Sequence, residues 1–238
     1  MKRLSIIITC LLFLSILFSA CNKSGICKKG SGEVERREIY LDEIHSIDVE
    51  GDATLYITQG EEQKIEVETY KNLFSIVNQS VKNGKWKAKF DRCVLGRSRL
   101  TFYVTLKSIH DLEMSGSGKI IGTNMINTTR LNLSVEGSGE MKIQAEAENL
   151  ESEVEGSGSL TISGKTGHHK TEIEGSGKIE AYDLHTGSSD VDISGSGKAL
   201  INVEDYLSVK INGSGYVIYK GSPKVSSKIN GSGKLSAY

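Results

Sequence analysis

The tripeptide Gly-Ser-Gly recurs through this 238-residue sequence at nearly constant intervals. Its first glycine stands at positions 30, 116, 137, 156, 175, 195, 213 and 231, and the seven copies from 116 onward are 18 to 21 residues apart. A fixed period near 20 residues is typical of stacked structural units, each of which contacts only its neighbours. The period therefore predicts a solenoid.

Short runs of alternating apolar and polar residues flank the tripeptides. Residues 131–135 read Leu-Asn-Leu-Ser-Val before one copy, and residues 141–143 read Met-Lys-Ile after it. Alternation with period 2 predicts strands. Glycine tolerates the sharp bend between two strands, and stacked corners about 4.8 Å apart leave little room for side chains. The predicted unit is strand, Gly-Ser-Gly corner, strand and loop.

The predicted fold is all-β, a right-handed parallel β-helix or solenoid with Gly-Ser-Gly corners. Residues 113–238 form its regular half, and residues 38–112 are expected to form less regular β coils that cap one end. A hairpin turn is predicted at Asn83-Gly84. The structural corners are Gly116, Gly118, Gly137, Gly139, Gly156, Gly158, Gly175, Gly177, Gly195, Gly197, Gly213, Gly215, Gly231 and Gly233. The side chains expected inside are Leu131, Leu133, Val135, Met141, Ile143, Val154, Leu160, Ile162, Ile173, Ile179, Val191, Ile193, Leu200, Val203, Val209, Ile211, Val217, Ile218 and Ile229.

Residues 1–20 have the form of a lipoprotein signal peptide. A basic start, Lys2-Arg3, precedes an apolar run at 4–17, which is shorter than the roughly 20 residues that span a bilayer. Phe18-Ser19-Ala20-Cys21 resembles the bacterial lipobox, which implies cleavage before Cys21 and acylation of its thiol, for example with palmitate. The alternative is an ordinary secretory signal followed by a coincidental cysteine. The expected partner of Cys21 is a membrane, the outer membrane of the cell envelope, with 21–37 as a polar tether.

Two further cysteines, Cys27 and Cys93, remain in the mature chain. Outside the cytoplasm such a pair tends to oxidise, which predicts a disulfide, with two free thiols as the alternative. Once Lys2 and Arg3 are removed with the signal, acidic residues outnumber basic ones by three. That balance argues against a nucleic-acid partner.

The stretch from 39 to 238 resembles the bacterial family called putative auto-transporter adhesin, head GIN domain. The resemblance rests on Gly51 in an opening corner, on Asn72-Leu73 and on the serial tripeptides. Its most specific part is Ile-Asn-Gly-Ser-Gly-Tyr-Val-Ile-Tyr-Lys-Gly-Ser-Pro-Lys-Val at 211–225, followed by Ile-Asn-Gly-Ser-Gly at 229–233. The resemblance implies a β-helical fold and a cell-envelope setting common in Bacteroidetes-type bacteria, and the family carries no established catalytic residues.

No motif in the sequence predicts catalysis, a cofactor or a metal. Gly-Ser-Gly lacks the longer glycine pattern and the following helix of a phosphate cradle, and it is not the G-x-S-x-G nucleophile elbow. His168 and His169 are interpreted as solvated histidines of a loop at 165–170. One row of polar residues precedes successive corners: Glu136, Glu155, Glu174, Ser194, Asn212 and Asn230. We interpret the row as an exposed face balanced by lysines such as Lys178 and Lys198, with cation binding as the alternative and an Asn212–Asn230 side-chain ladder at its end.

The aromatic residues near the end of the chain suggest a binding patch formed by Tyr216, Tyr219 and Tyr238, or simple packing over the last coil. The leading hypothesis is a non-catalytic envelope lipoprotein that uses its solenoid surface for adhesion or for binding a glycan or protein ligand. The first alternative is a self-associating envelope scaffold, which would be a homo-oligomer. The second is a polysaccharide-processing β-helix enzyme.

Overall fold

The structure of the protein, a computed structural model, describes residues 27–96 and 99–238. The predicted signal peptide and lipid site, Cys21, lie outside the described residues. Strands β1–β10 are Lys28–Lys29, Val34–Ile39, Ser46–Gly51, Thr54–Gln59, Lys64–Tyr70, Val81–Lys82, Lys85–Ala88, Val94–Leu95, Thr101–Leu106 and Asp111–Gly116. Strands β11–β18 are Lys119–Gly137, Glu140–Gly156, Ser159–Gly175, Lys178–Gly195, Lys198–Gly213, Tyr216–Lys220, Lys224–Gly231 and Lys234–Ala237. A 3-10 helix, η1, spans Lys71–Ile76.

Successive coils from β10 to β18 stack in parallel, in register at every corner. Gly116 pairs with Gly137, Gly137 with Gly156, and Gly156 with Gly175. The same column continues through the later corners, and before Gly116 it includes Gly51. Each unit thus completes the backbone hydrogen bonds of the next. The predicted β-solenoid is confirmed.

The two glycines of each corner are required for different reasons. At Gly175 the backbone has a φ of 108°, and a Cβ atom would lie 2.7 Å from the carbonyl oxygen of Gly156. That carbonyl accepts a 2.8 Å hydrogen bond from the backbone N–H of Ser176. At Gly177 a Cβ atom would instead overlap the side chain of Val154, one coil earlier. The first glycine therefore permits the bend, and the second leaves space for an interior side chain.

The chain does not leave the ladder between corners, contrary to the predicted loop in each unit. Strands β11 to β15 are 16 to 19 residues long and run from one corner to the next. Residues 165–170, predicted as a loop, belong to β13 and pair with β12. The ladder also continues through Gly164, where φ is 119°, because this residue still pairs with Ala145 on one side and with Leu184 on the other.

The interior is a continuous column of mostly aliphatic side chains from Ile44 to Val217. Nearly all the residues expected inside are buried. Ile218 is half-exposed, because its neighbour Val217 takes the inward position of the strand. Ile229 lies at an inward-facing position of its strand but is 38% exposed, because no described strand covers the last coil.

The first part of the chain adds antiparallel strands to one end of the stack. Strand β5 lies between β2 and β9, antiparallel to both. Asn83 and Gly84, both with positive φ, form the expected turn between β6 and β7. The ring of Trp86 packs edge-on against Phe102 beneath this end. Part of the predicted tether, 21–37, belongs to the fold, because the chain is paired in β1 from Lys28 and in β2 from Val34.

A disulfide between Cys27 and Cys93 ties this N-terminal segment to the solenoid, with the two Cα atoms 4.8 Å apart. Replacing both cysteines with serine is expected to lower the free energy of unfolding by about 3 kcal/mol, because the bond closes a long loop in the unfolded chain. Thermal unfolding of the variant and of the wild type, with and without reductant, measures the difference. Equal stability of the oxidised wild type, the reduced wild type and the variant would contradict the prediction.

Candidate binding surface

Strands that precede the corners carry a band of carboxylates on their outer face. Glu136, Glu155 and Glu174 occupy neighbouring strands at the position before the corner glycine. Two residues earlier, Glu153, Glu172 and Asp192 form a second row. Because parallel strands lie about 4.8 Å apart, each carboxylate has like-charged neighbours within the same face. We call the two rows the carboxylate face.

The carboxylates at the centre of this face repel one another. Burial, followed by the neighbouring charges of Glu155 and Glu172, raises the pKa of Glu153. Burial and the charge of Glu113 similarly raise the pKa of Glu136. Of the two lysines expected to balance the row, Lys178 instead pairs with Glu180, at 2.7 Å.

Basic residues neutralise this face mainly towards its two ends. At one end Lys87 Nζ lies 2.9 Å from Asp48 and 2.8 Å from Glu50. At the other end Lys210 Nζ lies 2.6 Å from Asp192, on the preceding strand. The row then closes with the expected ladder, in which Asn230 Nδ2 donates to Asn212 Oδ1 at 2.9 Å. The face is thus acidic in the middle, where Lys170 pairs with Glu172 at 3.2 Å, and is neutralised at its ends.

Replacing Glu153 with glutamine is expected to raise the free energy of unfolding by about 0.5 kcal/mol at neutral pH, a small gain because solvent screens half-exposed charges. Added salt should reduce the gain. Glu151→Gln is the matched control, because Glu151 has a lysine partner, Lys170, at 2.5 Å. Urea unfolding at two salt concentrations measures both variants. A loss of stability in E153Q would contradict the repulsion.

His169 lies inside the solenoid, so its interpretation as a solvated loop histidine is wrong. Its side chain is 1% exposed and stacks between Leu150 and Ser189 of the adjacent coils. Nε2 lies 2.7 Å from Ser152 Oγ, while Nδ1 has no hydrogen-bond partner. Burial lowers the pKa of His169 to about 3. Its neighbour His168 is half-exposed on the outer side, with Nδ1 3.0 Å from Ser188 Oγ.

The Ser152–His169 pair does not have the properties of a hydrolytic centre. A nucleophile and its base need a third group that orients the base, and they need access to substrate. The Nδ1 atom of His169 lacks such a partner, and both side chains are buried. The pair is therefore a buried polar contact that packs in the core.

The outer surface offers open grooves beside the coils. One groove is lined by Thr128, Glu146, Glu148, Lys165 and Thr166. Within residues 27–96 and 99–238, no group of three or more His, Cys, Asp or Glu side chains is arranged to hold a metal ion. In the same residues, no helix has the length and apolarity needed to cross a bilayer.

The three tyrosines predicted as a patch do not share one surface. Tyr216 is exposed, whereas Tyr219, three positions along β16, packs against the core. The ring centres of Tyr238 and Tyr182 lie 5.5 Å apart. Lys220 Nζ lies 4.4 Å from the ring centre of Tyr182 and 5.1 Å from that of Tyr238. The cluster that does form is therefore Tyr182, Tyr238 and Lys220.

The last coil, residues 216–238 with β16, β17 and β18, is the most exposed part of the regular stack. Every residue of β17 is exposed, including Val225 and Ile229 at 38% each. Residues 206–238 contain five lysines and no aspartate or glutamate. We call residues 216–238 the terminal coil. Its signal in the sequence is the absence of acidic residues.

Residues 43–223 match the family described as putative auto-transporter adhesin, head GIN domain. No curated protein matches the chain. A putative adhesin from Bacteroides fragilis superposes with a TM-score of 0.83 at 21% identity, covering 88% of this chain and 99% of that one. A putative lipid binding protein from Parabacteroides distasonis gives 0.74 at 24% identity, with 88% and 98% covered. A putative adhesin from Parabacteroides merdae gives 0.72 at 21% identity, also with 88% and 98% covered. At these identities the solved structures show a shared fold.

Proposed function

Because this chain belongs to the family described as putative auto-transporter adhesin, head GIN domain, we propose that it is a non-catalytic binding module of the cell envelope with an adhesion-like role. In this proposal Cys21 carries the lipid and anchors the chain in the outer membrane. The solenoid then presents its outer surface to a ligand. The fold alone would also suit other roles, so the argument depends on how the surface is arranged.

The observation that carries the proposal is the direction of the solenoid, which runs from the capped end that holds the N-terminal segment to the terminal coil at the other end. The N-terminal segment, which follows the proposed anchor, is held by the Cys27–Cys93 disulfide in the part of the chain that caps one end. From β7 at that end to β17 at the other, the sheet spans eight strand spacings, about 38 Å at 4.8 Å each. A chain anchored at the capped end would hold the terminal coil away from the membrane.

The shape of the surface supports binding more than catalysis. The faces between corners repeat similar side chains at each coil, and the grooves beside them are open. Catalysis usually needs a few groups of different kinds converging in a cleft. Extended, rigid faces suit recognition over a long contact, because little conformational entropy is lost on binding.

The test uses cells that express the full chain or its Cys21→Ala variant. We expect the wild type in the outer-membrane fraction and the variant released from it. Protease treatment of intact cells then distinguishes the two sides of the membrane, and a protected wild-type protein would exclude a host-binding adhesin. Binding of the purified chain to immobilised glycans and envelope proteins, without turnover of the bound molecule, is the expected readout. Cleavage of a glycan would overturn the non-catalytic assignment, and a dimer or larger assembly without ligand binding would favour a scaffold.

A further inference from the structure

Among the described residues, the terminal coil forms an edge of the backbone ladder. Strand β17 pairs on one side with β15, and β18 pairs on one side with β16. Among the described residues, no strand pairs with the other side of either one. An edge strand with free N–H and C=O groups can accept an additional strand from another chain.

We propose that β17 accepts an acidic, extended segment of a partner protein as one more parallel rung of the solenoid. This inference rests on the proposed binding function and gives that function a site and a class of partner. The partner segment alternates apolar and acidic residues, as a strand of this solenoid does. Its main-chain groups complete the ladder, and its side chains meet the two faces of β17 separately.

The inner face of β17 requires apolar residues from the partner. Val225 is in register with the buried Leu207, and Ile229 with the buried Ile211. Both are among the few large apolar side chains that remain exposed. An added strand with apolar residues in the same phase would cover them as each coil covers the one before it.

The outer face of β17 requires acidic residues. Ion pairs between a lysine and an acid one rung away recur along the solenoid: Lys119–Glu140 at 2.5 Å, Lys170–Glu151 at 2.5 Å and Lys210–Asp192 at 2.6 Å. Lys228 is in register with Lys210, one rung further on. In the described part of the chain, neither Lys224 nor Lys228 has an ion-pair partner. In this proposal the partner segment supplies the carboxylates that pair with these two lysines.

The same lysines disfavour a second copy of this chain as the occupant. Two terminal coils placed edge to edge would bring together two sets of lysines without any acidic residue at 206–238 to balance them. Lysines on an edge strand are a known obstacle to self-pairing. Charge complementarity therefore selects an acidic segment of a different protein.

The probe is a fluorescent synthetic peptide with the length of β17, eight residues, that alternates Val or Ile with Asp. A peptide with Lys for Asp and one with the acidic sequence scrambled are its controls. We expect the full chain, purified in non-ionic detergent, to bind only the alternating acidic peptide by fluorescence anisotropy. Hydrogen exchange should slow at the β17 amides, since the added strand pairs with them.

The double variant Lys224→Glu/Lys228→Glu should weaken binding by at least about tenfold, which corresponds to 1.4 kcal/mol. Lys142→Glu, a reversal at another exposed lysine of the solenoid, is the matched control and should bind as the wild type does. Both variants should remain folded because all three positions are on the surface, and circular dichroism checks this.

The proposal is overturned if the acidic peptide does not bind, if both lysine variants bind it equally, or if β17 exchange is unchanged on binding. Binding to vesicles with anionic lipids, without binding to the peptide, would replace the protein partner with a lipid surface. If the peptide fails while the chain still binds immobilised glycans or envelope proteins, the proposed function stands and only this site is wrong.

Discussion

Gly175→Ala is expected to lower the free energy of unfolding by about 3 to 5 kcal/mol, because it adds both backbone strain and a backbone clash. The φ of 108° at Gly175 is one that residues with a side chain rarely adopt. The new Cβ atom would lie 2.7 Å from the Gly156 carbonyl oxygen, which cannot withdraw without losing its hydrogen bond to Ser176. Guanidinium unfolding of the variant and the wild type measures the loss.

Two further variants separate strain from ordinary sensitivity of the corner. Ser176→Ala changes the exposed middle residue of the same tripeptide and should cost less than about 0.5 kcal/mol. Gly177→Ala should also destabilise the protein. Adding Val154→Ala to that variant should offset part of the loss, because it removes the methyl groups that overlap the new Cβ atom. Val154→Ala should give Gly175→Ala no such recovery. Equal rescue at both glycines would contradict the different roles assigned to them.

Acid is expected to destabilise the protein through His169. The pKa of His169 is about 3 in the folded protein and near 6.5 when the chain is unfolded. Between these values the unfolded chain binds a proton that the folded one excludes, so stability is present above pH 6.5 and is lost as the pH falls towards 3. At about 1.4 kcal/mol per pH unit, the loss is on the order of 3 kcal/mol by pH 4.

His169→Leu isolates this effect, because leucine already fills the same interior column at Leu150 and Leu207. We expect the drop in the free energy of unfolding between pH 7 and pH 4 to be smaller in the variant by roughly 3 kcal/mol. His168→Gln changes the half-exposed neighbour and should keep the wild-type drop. Comparing variants removes the contribution of the carboxylates, including Glu153, whose raised pKa acts in the opposite direction. An unchanged drop in H169L would show that His169 is not the acid-sensitive group.

The repeat period alone determines most of the regular half. Corners at a constant spacing can stack only if the coils between them have nearly equal lengths, so the parallel register from Gly116 to Gly231 follows from the sequence. Strict alternation likewise identified the interior positions beside each corner, such as Val154 and Ile173. The asparagine ladder followed from the same register.

Between the corners the sequence pattern was not sufficient. The segment Lys-Thr-Gly-His-His-Lys at 165–170 has no apolar alternation, so its polar residues predicted a loop. In the structure His169 points inward because it is held in register with Leu150, and His168 therefore points outward. The phase of this segment is imposed by the neighbouring coil rather than by its own composition.

The sequence by itself determined that the chain forms stacked β coils with glycine at each bend, since a short period and alternation are local properties. Only the tertiary structure decided which side chains face inward beyond each bend, which lysines form ion pairs with acidic residues, and which strand edge has no paired neighbour among the described residues. The physical reason is that a shift of one residue at a bend reverses the direction of every side chain after it. Irregularities such as the one between Thr161 and Ser163 make that shift coil by coil, and the contacts between coils select it.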